Sequence, residues 1–199
     1  MGLSWNKIRV VLENTMKQVK DSEGIHYIPR CSYEQNSREI WMIDEQMNKI
    51  QERDGYHCFS LLVAAQKDGK KSSVSDCAYG KSLCQIDVEG CVERVVKEVE
   101  KSFGGEKLIS GKYPAIFCGK VVAELLEAFL PAFYADNIQE NKSSLNKKQN
   151  TQVTSKKLWI REIPEFQKGR NMRTVDDEGV PVTEKTIIKD GKFVQLLYI

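Results

Sequence analysis

The chain has 199 residues, 41% of them hydrophobic, with 30 basic and 28 acidic side chains and a net charge of +2. That length can bury a substantial core, and the near balance of charge gives no overall attraction to nucleic acid or to a membrane surface. No apolar run approaches a bilayer span. Met1 to Lys20 carries charge throughout where a signal sequence would be apolar, so the expected location is the cytoplasm.

In chain order, Trp5 to Lys20 places Ile8, Val11, Leu12, Met16 and Val19 on one face and reads as an amphipathic helix, with Gly24 as a left-handed stop. Gly24 to Glu34 and Arg38 to Lys49 alternate as strands, Asp54-Gly55 reads as a turn, and His57 to Gln66 is a strand. Lys67 to Lys70 is a hairpin turn and Lys71 to Tyr79 its return strand. Asp87 to Phe103 is a second amphipathic helix with Val88, Cys91, Val92, Val95, Val96 and Val99 as its apolar stripe, stopped by Gly104-Gly105.

The most informative stretch is Gly111 to Asp136. Tyr113 to Phe117 reads as a short buried strand and Cys118-Gly119 as a turn. A helix follows in which Val121, Val122, Leu125, Leu126, Phe129, Leu130 and Phe133 make one broad apolar face, expected to lie in the core. Pro131 should end or kink it near Leu130. Gln139 to Lys157 is polar and reads as a flexible loop. Its Lys142, Lys147, Lys148, Lys156 and Lys157 have no aromatics among them, which favours a solvated loop over a nucleic-acid patch. Leu158 to Ile163 is a short strand and Val175 to Pro181 a turn. Thr183 to Lys189 and Phe193 to Ile199 are strands joined by an Asp190-Gly191 hairpin turn. An apolar strand running to the last residue points to a fragment of a longer chain.

The fold class these elements imply is α+β. An N-terminal helix and an antiparallel meander with packed helices occupy residues 1–110; a strand–helix unit and the start of a further β region occupy residues 111–199.

Chemistry-bearing residues are sparse. The six cysteines, Cys31, Cys58, Cys77, Cys84, Cys91 and Cys118, include no C-x-x-C pair and read as free thiols. The even spacing of Cys77, Cys84 and Cys91 leaves a metal reading open beside that of small apolar residues in a strand, a turn and a helix face. The two histidines, His26 and His57, both fall in the meander and read as strand residues before ligands. Asp176, Asp177 and Glu178 form a carboxylate cluster. It reads either as a paired-carboxylate site or as a turn held by side-chain bonds to the backbone, with Gly179 supplying a positive φ.

Several of these motifs occur together in one known family. Lys112 to Phe117 (KYPAIF) followed by the Leu125-Leu126 helix, then Lys142 to Leu145 (KSSL), then Asp176 to Pro181 (DDEGVP) before the KDGKFVQLLY hairpin, resemble in order the TldD/PmbA family of gyrase-modulator or peptide-maturation proteins. The segment from Arg38 to Ser72 fits that family's first domain. In the metallopeptidase branch, the Leu-Leu pair is followed by His-Glu-x-x-x-His, which binds zinc and supplies a general base. Here Glu127 stands at the first His position, Ala128 at the Glu and Ala132 at the second His. The pattern is closest to the PmbA/TldE branch, which lacks the zinc motif.

The resemblance implies a non-catalytic subunit with no cofactor of its own, zinc being expected only on a TldD-type partner. Such a chain would support processing of a peptide substrate, paired with that partner or with further copies of itself, without direct contact to nucleic acid or membrane. It also implies that Asp176, Asp177, Glu178 and Gly179 border a peptide cleft or subunit interface. The alternative it carries is a regulatory binding protein acting on DNA gyrase, with no part in proteolysis.

Overall fold

The computed structural model describes residues 5–43, 47–105, 107–166 and 169–198. Its first unit, Met1–Ile109 with Lys168–Asn171, begins with α1 (Trp5–Lys20), which ends as expected before Gly24 at φ 82°. Then come β1 (Ile25–Ile43), β2 (Lys49–Lys67) and β3 (Lys70–Gly80), an antiparallel sheet in the order β1-β2-β3. A 3-10 turn, Leu83–Gln85, leads into α2 (Val88–Ser102).

Alternation along β2 decides what is buried. Phe59, Leu61, Val63 and Ala65 face the core, where they meet Val92, Val95 and Val99 of α2 and Val19 of α1. Each such side chain contributes about 1.5–3 kcal/mol by leaving water. The start of α2 is fixed by Asp87, whose Oδ1 accepts from the Gly90 amide at 2.9 Å. An added Cβ at residue 90 would strike that carboxylate, which accounts for the glycine. Arg94 donates to Asp76 at 2.7 Å and to Asp87 at 3.4 Å, tying α2 to β3.

Two expectations for the meander are corrected. The segments read as separate strands at Gly24 to Glu34 and Arg38 to Lys49 are one strand as far as Ile43; part of the second lies outside the described residues. Asp54-Gly55 is no turn. Arg38 pairs with Asp54 and Ser37 with Gly55 in mid-strand. The glycine is there for close approach, since a Cβ would lie 2.5 Å from the Asn36 carbonyl oxygen. Asp54 accepts from Lys81 at 2.7 Å, and the same ammonium donates to the Gly55 and Arg170 carbonyls. Cross-strand pairing and this ammonium outweigh the local turn preference.

The second unit, Ser110–Gln167 with Met172–Ile199, contains α3 (Gly119–Phe129), a 3-10 turn (Leu130–Phe133) and α4 (Ala135–Gln139). Its antiparallel sheet has the order β4 (Ile160–Glu162), β5 (Lys185–Lys189), β6 (Lys192–Phe193). The core gathers Phe133, Ile187, Ile188, Phe193 and Leu197, with the Phe133 and Phe193 rings 5.7 Å apart. The expected strand from Phe193 onward shortens to Lys192–Phe193; Leu197 makes an isolated bridge to Tyr134, and Ile199 lies outside the described residues.

Gln139 to Lys157, expected to be a flexible loop, is fastened to the β5–β6 hairpin. Asn150 N donates to Phe193 O and Phe193 N to Thr151 O, while Val153 and Thr154 both donate to Gly191 O. Leu145 and Val153 pack on the core. Composition alone misreads this segment because its order comes from main-chain groups. Among the described residues no helix is long and apolar enough to cross a membrane.

Both hairpins turn on an Asp-Gly pair with positive φ at each residue, 49° and 77° at Asp68-Gly69 and 49° and 74° at Asp190-Gly191. Their surroundings differ. A Cβ on Gly69 meets nothing, whereas one on Gly191 would fall on the Gln152 side chain and the Thr154 and Ser155 carbonyls. Gly69→Ala is therefore expected to cost about 1–2 kcal/mol, the left-handed backbone penalty alone. Gly191→Ala should cost clearly more. Urea denaturation of the two variants, with hydrogen exchange to localise the loss to each unit, checks this; equal losses would contradict it.

Candidate interaction site on the central helix

Helix α3 starts after Cys118, whose extended backbone (φ −70°, ψ 159°) makes it the N-cap without a side-chain bond. It stops at Phe129 because Pro131 brings no N–H and its ring obstructs a further α turn, as expected. The chain tightens into the 3-10 turn instead. Two carbonyls of that turn are taken up by the following segment: Ser143 Oγ donates to Ala132 O at 2.6 Å and Asn137 Nδ2 to Pro131 O at 2.8 Å. Ser143 of the KSSL stretch is thus a clamp on the end of the helix.

The expectation of a core strand is overturned, and that of a core helix holds only for the end of the stripe, where Leu130 and Phe133 reach the second core. Tyr113 to Phe117 is outside any strand, and Tyr113, Ile116 and Phe117 are exposed, Ile116 fully. Helix α3 has no buried residue, and Val122, Leu125 and Phe129 of the predicted stripe face solvent, Phe129 at 63% exposure. Periodicity identified the apolar face correctly. What it cannot say is how much of that face the rest of the chain covers: Phe133 is buried and Leu130 packs on the second core, Val121 and Leu126 are half-buried, and Val122, Leu125 and Phe129 are left exposed.

The three positions of the lost motif lie on this element. Glu127 and Ala128 are exposed on α3, and Ala132 is half-buried in the 3-10 turn beyond it. Zinc needs three protein donors and an open position. One carboxylate and two methyl groups do not fit it, and the third position has left the α-helix. Nor do the other expected donors converge. The His57 ring shares a hydrogen bond with the Tyr33 hydroxyl, and His26 lies edge-on to Tyr27 at 5.7 Å. Cys77 is half-buried on β3, Cys84 exposed and Cys91 fully buried. Among the described residues no group of three or more His, Cys, Asp or Glu is placed to hold a metal ion.

The Asp176–Gly179 turn takes the form given by its local chemistry. Asp176 Oδ1 accepts from the Glu178 amide at 3.0 Å and from the Val180 amide at 2.8 Å. The backbone closes with Asp176 N to Val180 O and a Val175–Pro181 bridge, and Gly179 sits at φ 83°. Asp177 pairs with Arg173. Glu178 takes part through its amide. The geometry is that of a braced turn, and no hydrogen bond or ion pair links it to Glu127 among the described residues. Asp176→Ala should leave two amides without their acceptor and cost about 1–3 kcal/mol. Faster protease cleavage within Arg173–Val182, with the β1–β3 sheet unaffected, is the expected readout.

Burial also sets the chemistry of one thiol. The Cys91 thiol is pushed up to about 12, first by loss of water and then by the nearby Asp76 carboxylate, against the opposing pull of Arg94. Because the folded value exceeds the ordinary 9.0, the folded state holds its proton longer than the unfolded one. Its contribution to stability is complete below pH 9 and is lost as the pH rises towards 12. Mass-spectrometric mapping with iodoacetamide at mildly alkaline pH should label Cys84 and Cys118 quickly and Cys91 only on unfolding; early labelling of Cys91 would contradict its placement.

Residues 110–199 match the family model described as the PmbA/TldA metallopeptidase C-terminal domain. An uncharacterized protein of Methanocaldococcus jannaschii is 26% identical over 150 residues, 75% of this chain and 34% of that relative. The fold is similar to that of a Thermotoga maritima protein described as a candidate modulator of DNA gyrase. Their TM-score is 0.93 at 23% identity, over 99% of this chain and 46% of that one. It is also similar to TldE from Thermococcus kodakarensis, with a TM-score of 0.82 at 20% identity over 100% and 45%. The chain thus spans about a third of the curated relative and under half of these solved structures.

Proposed function

We propose that the chain, whose residues 110–199 match the PmbA/TldA metallopeptidase C-terminal domain, is a TldD/PmbA-family protein that acts as a PmbA/TldE-type, non-catalytic subunit supporting peptide processing by a zinc-bearing, TldD-type partner. The observation that carries this is the side-chain set on α3 and its following turn: Glu127, Ala128 and Ala132 in place of two ligands and a base. A hydrolase built on zinc needs ligands, an open position for water and a nearby base, and these three residues offer one carboxylate and two methyl groups. The exposed Val122, Leu125 and Phe129 suit contact with another polypeptide, either a TldD-type subunit or a further copy of the chain. The likeness to a protein named TldE supports the same reading.

A second reading, regulatory binding to DNA gyrase without proteolysis, draws on the description of the Thermotoga protein. Co-purification separates the two: a zinc-bearing homologue favours the first and gyrase alone favours the second.

The test is peptidase activity and metal content of the chain alone and mixed with a TldD-type subunit from the same source. The expected outcome is no activity alone and clear activity in the mixture, reduced about tenfold or more by Leu125→Asp with Phe129→Asp, which are both exposed and leave the fold intact by circular dichroism. Activity of the isolated chain with stoichiometric zinc would overturn the reading.

A further inference from the structure

Between Asn141 and Arg161 the chain carries Lys142, Lys147, Lys148, Lys156, Lys157 and Arg161 and no carboxylate, against a net charge of +2 for the whole sequence. Lys142 is paired with Glu140 and Arg161 with Glu184. Lys147, Lys148, Lys156 and Lys157 are exposed and have no carboxylate partner among the described residues. Lys189 and Lys192 of the β5–β6 hairpin add two more exposed cations.

These charges are not on a loose tail. The segment is pinned by the main-chain bonds to Gly191 and Phe193, by Gln152 Nε2 donating to Thr154 O and Asp190 O, and by Gly191 N donating to Leu158 O. Positive φ at Lys147 (59°) and Asn150 (64°) marks tight turns, which hold the first lysine pair at one end of the segment. A backbone pinned in this way loses little main-chain freedom on meeting an anionic partner, in contrast to a disordered lysine tract.

The chemistry selects among anions. No arginine fork is free in the segment, and lysine presents a hydrated point charge. The one aromatic ring is Trp159, with Lys189 Nζ 5.7 Å from its centroid and its Nε1 bonded to Asp190 Oδ1 at 3.0 Å. That is no row of platforms on which bases could stack. We propose that this lysine-lined segment on the β5–β6 hairpin is a docking surface for an acidic, Asp/Glu-rich stretch of a peptide client. The identification of the occupant as a client rests on the subunit reading above; the charge selectivity does not.

The experiment uses the whole chain and a short fluorescein-labelled peptide alternating Glu with Ser. Its controls are the Gln-for-Glu version and an oligothymidylate of equal charge, each followed by anisotropy at roughly 50 and 200 mM salt. The Glu peptide should bind most tightly and weaken with salt. Neutralising Lys147, Lys148, Lys156 and Lys157 to Gln should weaken it about tenfold. Lys70→Gln with Lys71→Gln, at the exposed β2–β3 turn, should leave it unchanged. Equal affinity for the Glu and Gln peptides, equal loss in the control variant, or no binding of the Glu peptide would each overturn the proposal. Tighter binding of oligothymidylate would overturn it in favour of a nucleic-acid surface. The subunit reading is judged separately by activation of the zinc-bearing partner, so the two can fail independently.

Discussion

Burial of alternate residues along β2 is the constraint on which the first unit depends. Phe59, Leu61, Val63 and Ala65 must all point the same way, and α2 offers a matching row of Val92, Val95 and Val99. A slip of one residue in the sheet would send this set to the opposite face. The pairing of β1 with β2 through Ser37–Gly55 and Arg38–Asp54 follows from that register, and so does the need for a residue without Cβ at position 55. A local turn signal yields to it because a broken ladder would leave backbone groups of both strands without partners.

The second unit rests on a different device. Its sheet is small, and much of its order comes from main-chain bonds that wrap Asn150 to Leu158 around the β5–β6 hairpin. Gly191 is a point of close approach, where the Gln152 side chain and the Thr154 and Ser155 carbonyls leave no room for a side chain. The same wrapping turns a polar, lysine-rich segment into a fixed surface. Ser143 and Asn137 then close the carbonyls released where Pro131 ends α3.

These features bear on function through what α3 lacks and what it exposes. Glu127, Ala128 and Ala132 do not make up the donor set of the metallopeptidase branch, while Val122, Leu125 and Phe129 and the preceding Tyr113, Ile116 and Phe117 remain in solvent among the described residues. The Asp176 turn is stabilised by its own carboxylate, which accepts from the Glu178 and Val180 amides, while the Asp177 and Glu178 side chains are exposed.

The sequence by itself determined helices α1, α2 and α3, the two Asp-Gly hairpins, the end of α3 at Pro131, the residues at the zinc-motif positions and the resemblance to the TldD/PmbA family, while the short α4 went unread. Each of these depends on short-range rules: 3.6-residue periodicity, a missing N–H, positive φ at Asp-Gly, or the identity of single residues. Only the tertiary structure decided that Asp54-Gly55 lies in mid-strand, that Gln139 to Lys157 is ordered, and that Val122, Leu125 and Phe129 of α3 are left exposed among the described residues. Those outcomes turn on partners distant in the chain: Asn36 and Lys81 for the first, Gly191 and Phe193 for the second, and for the third whether any such partner arrives at all. Hydrophobic periodicity records that a face is apolar; the arrangement of the rest of the molecule determines whether that face is removed from water.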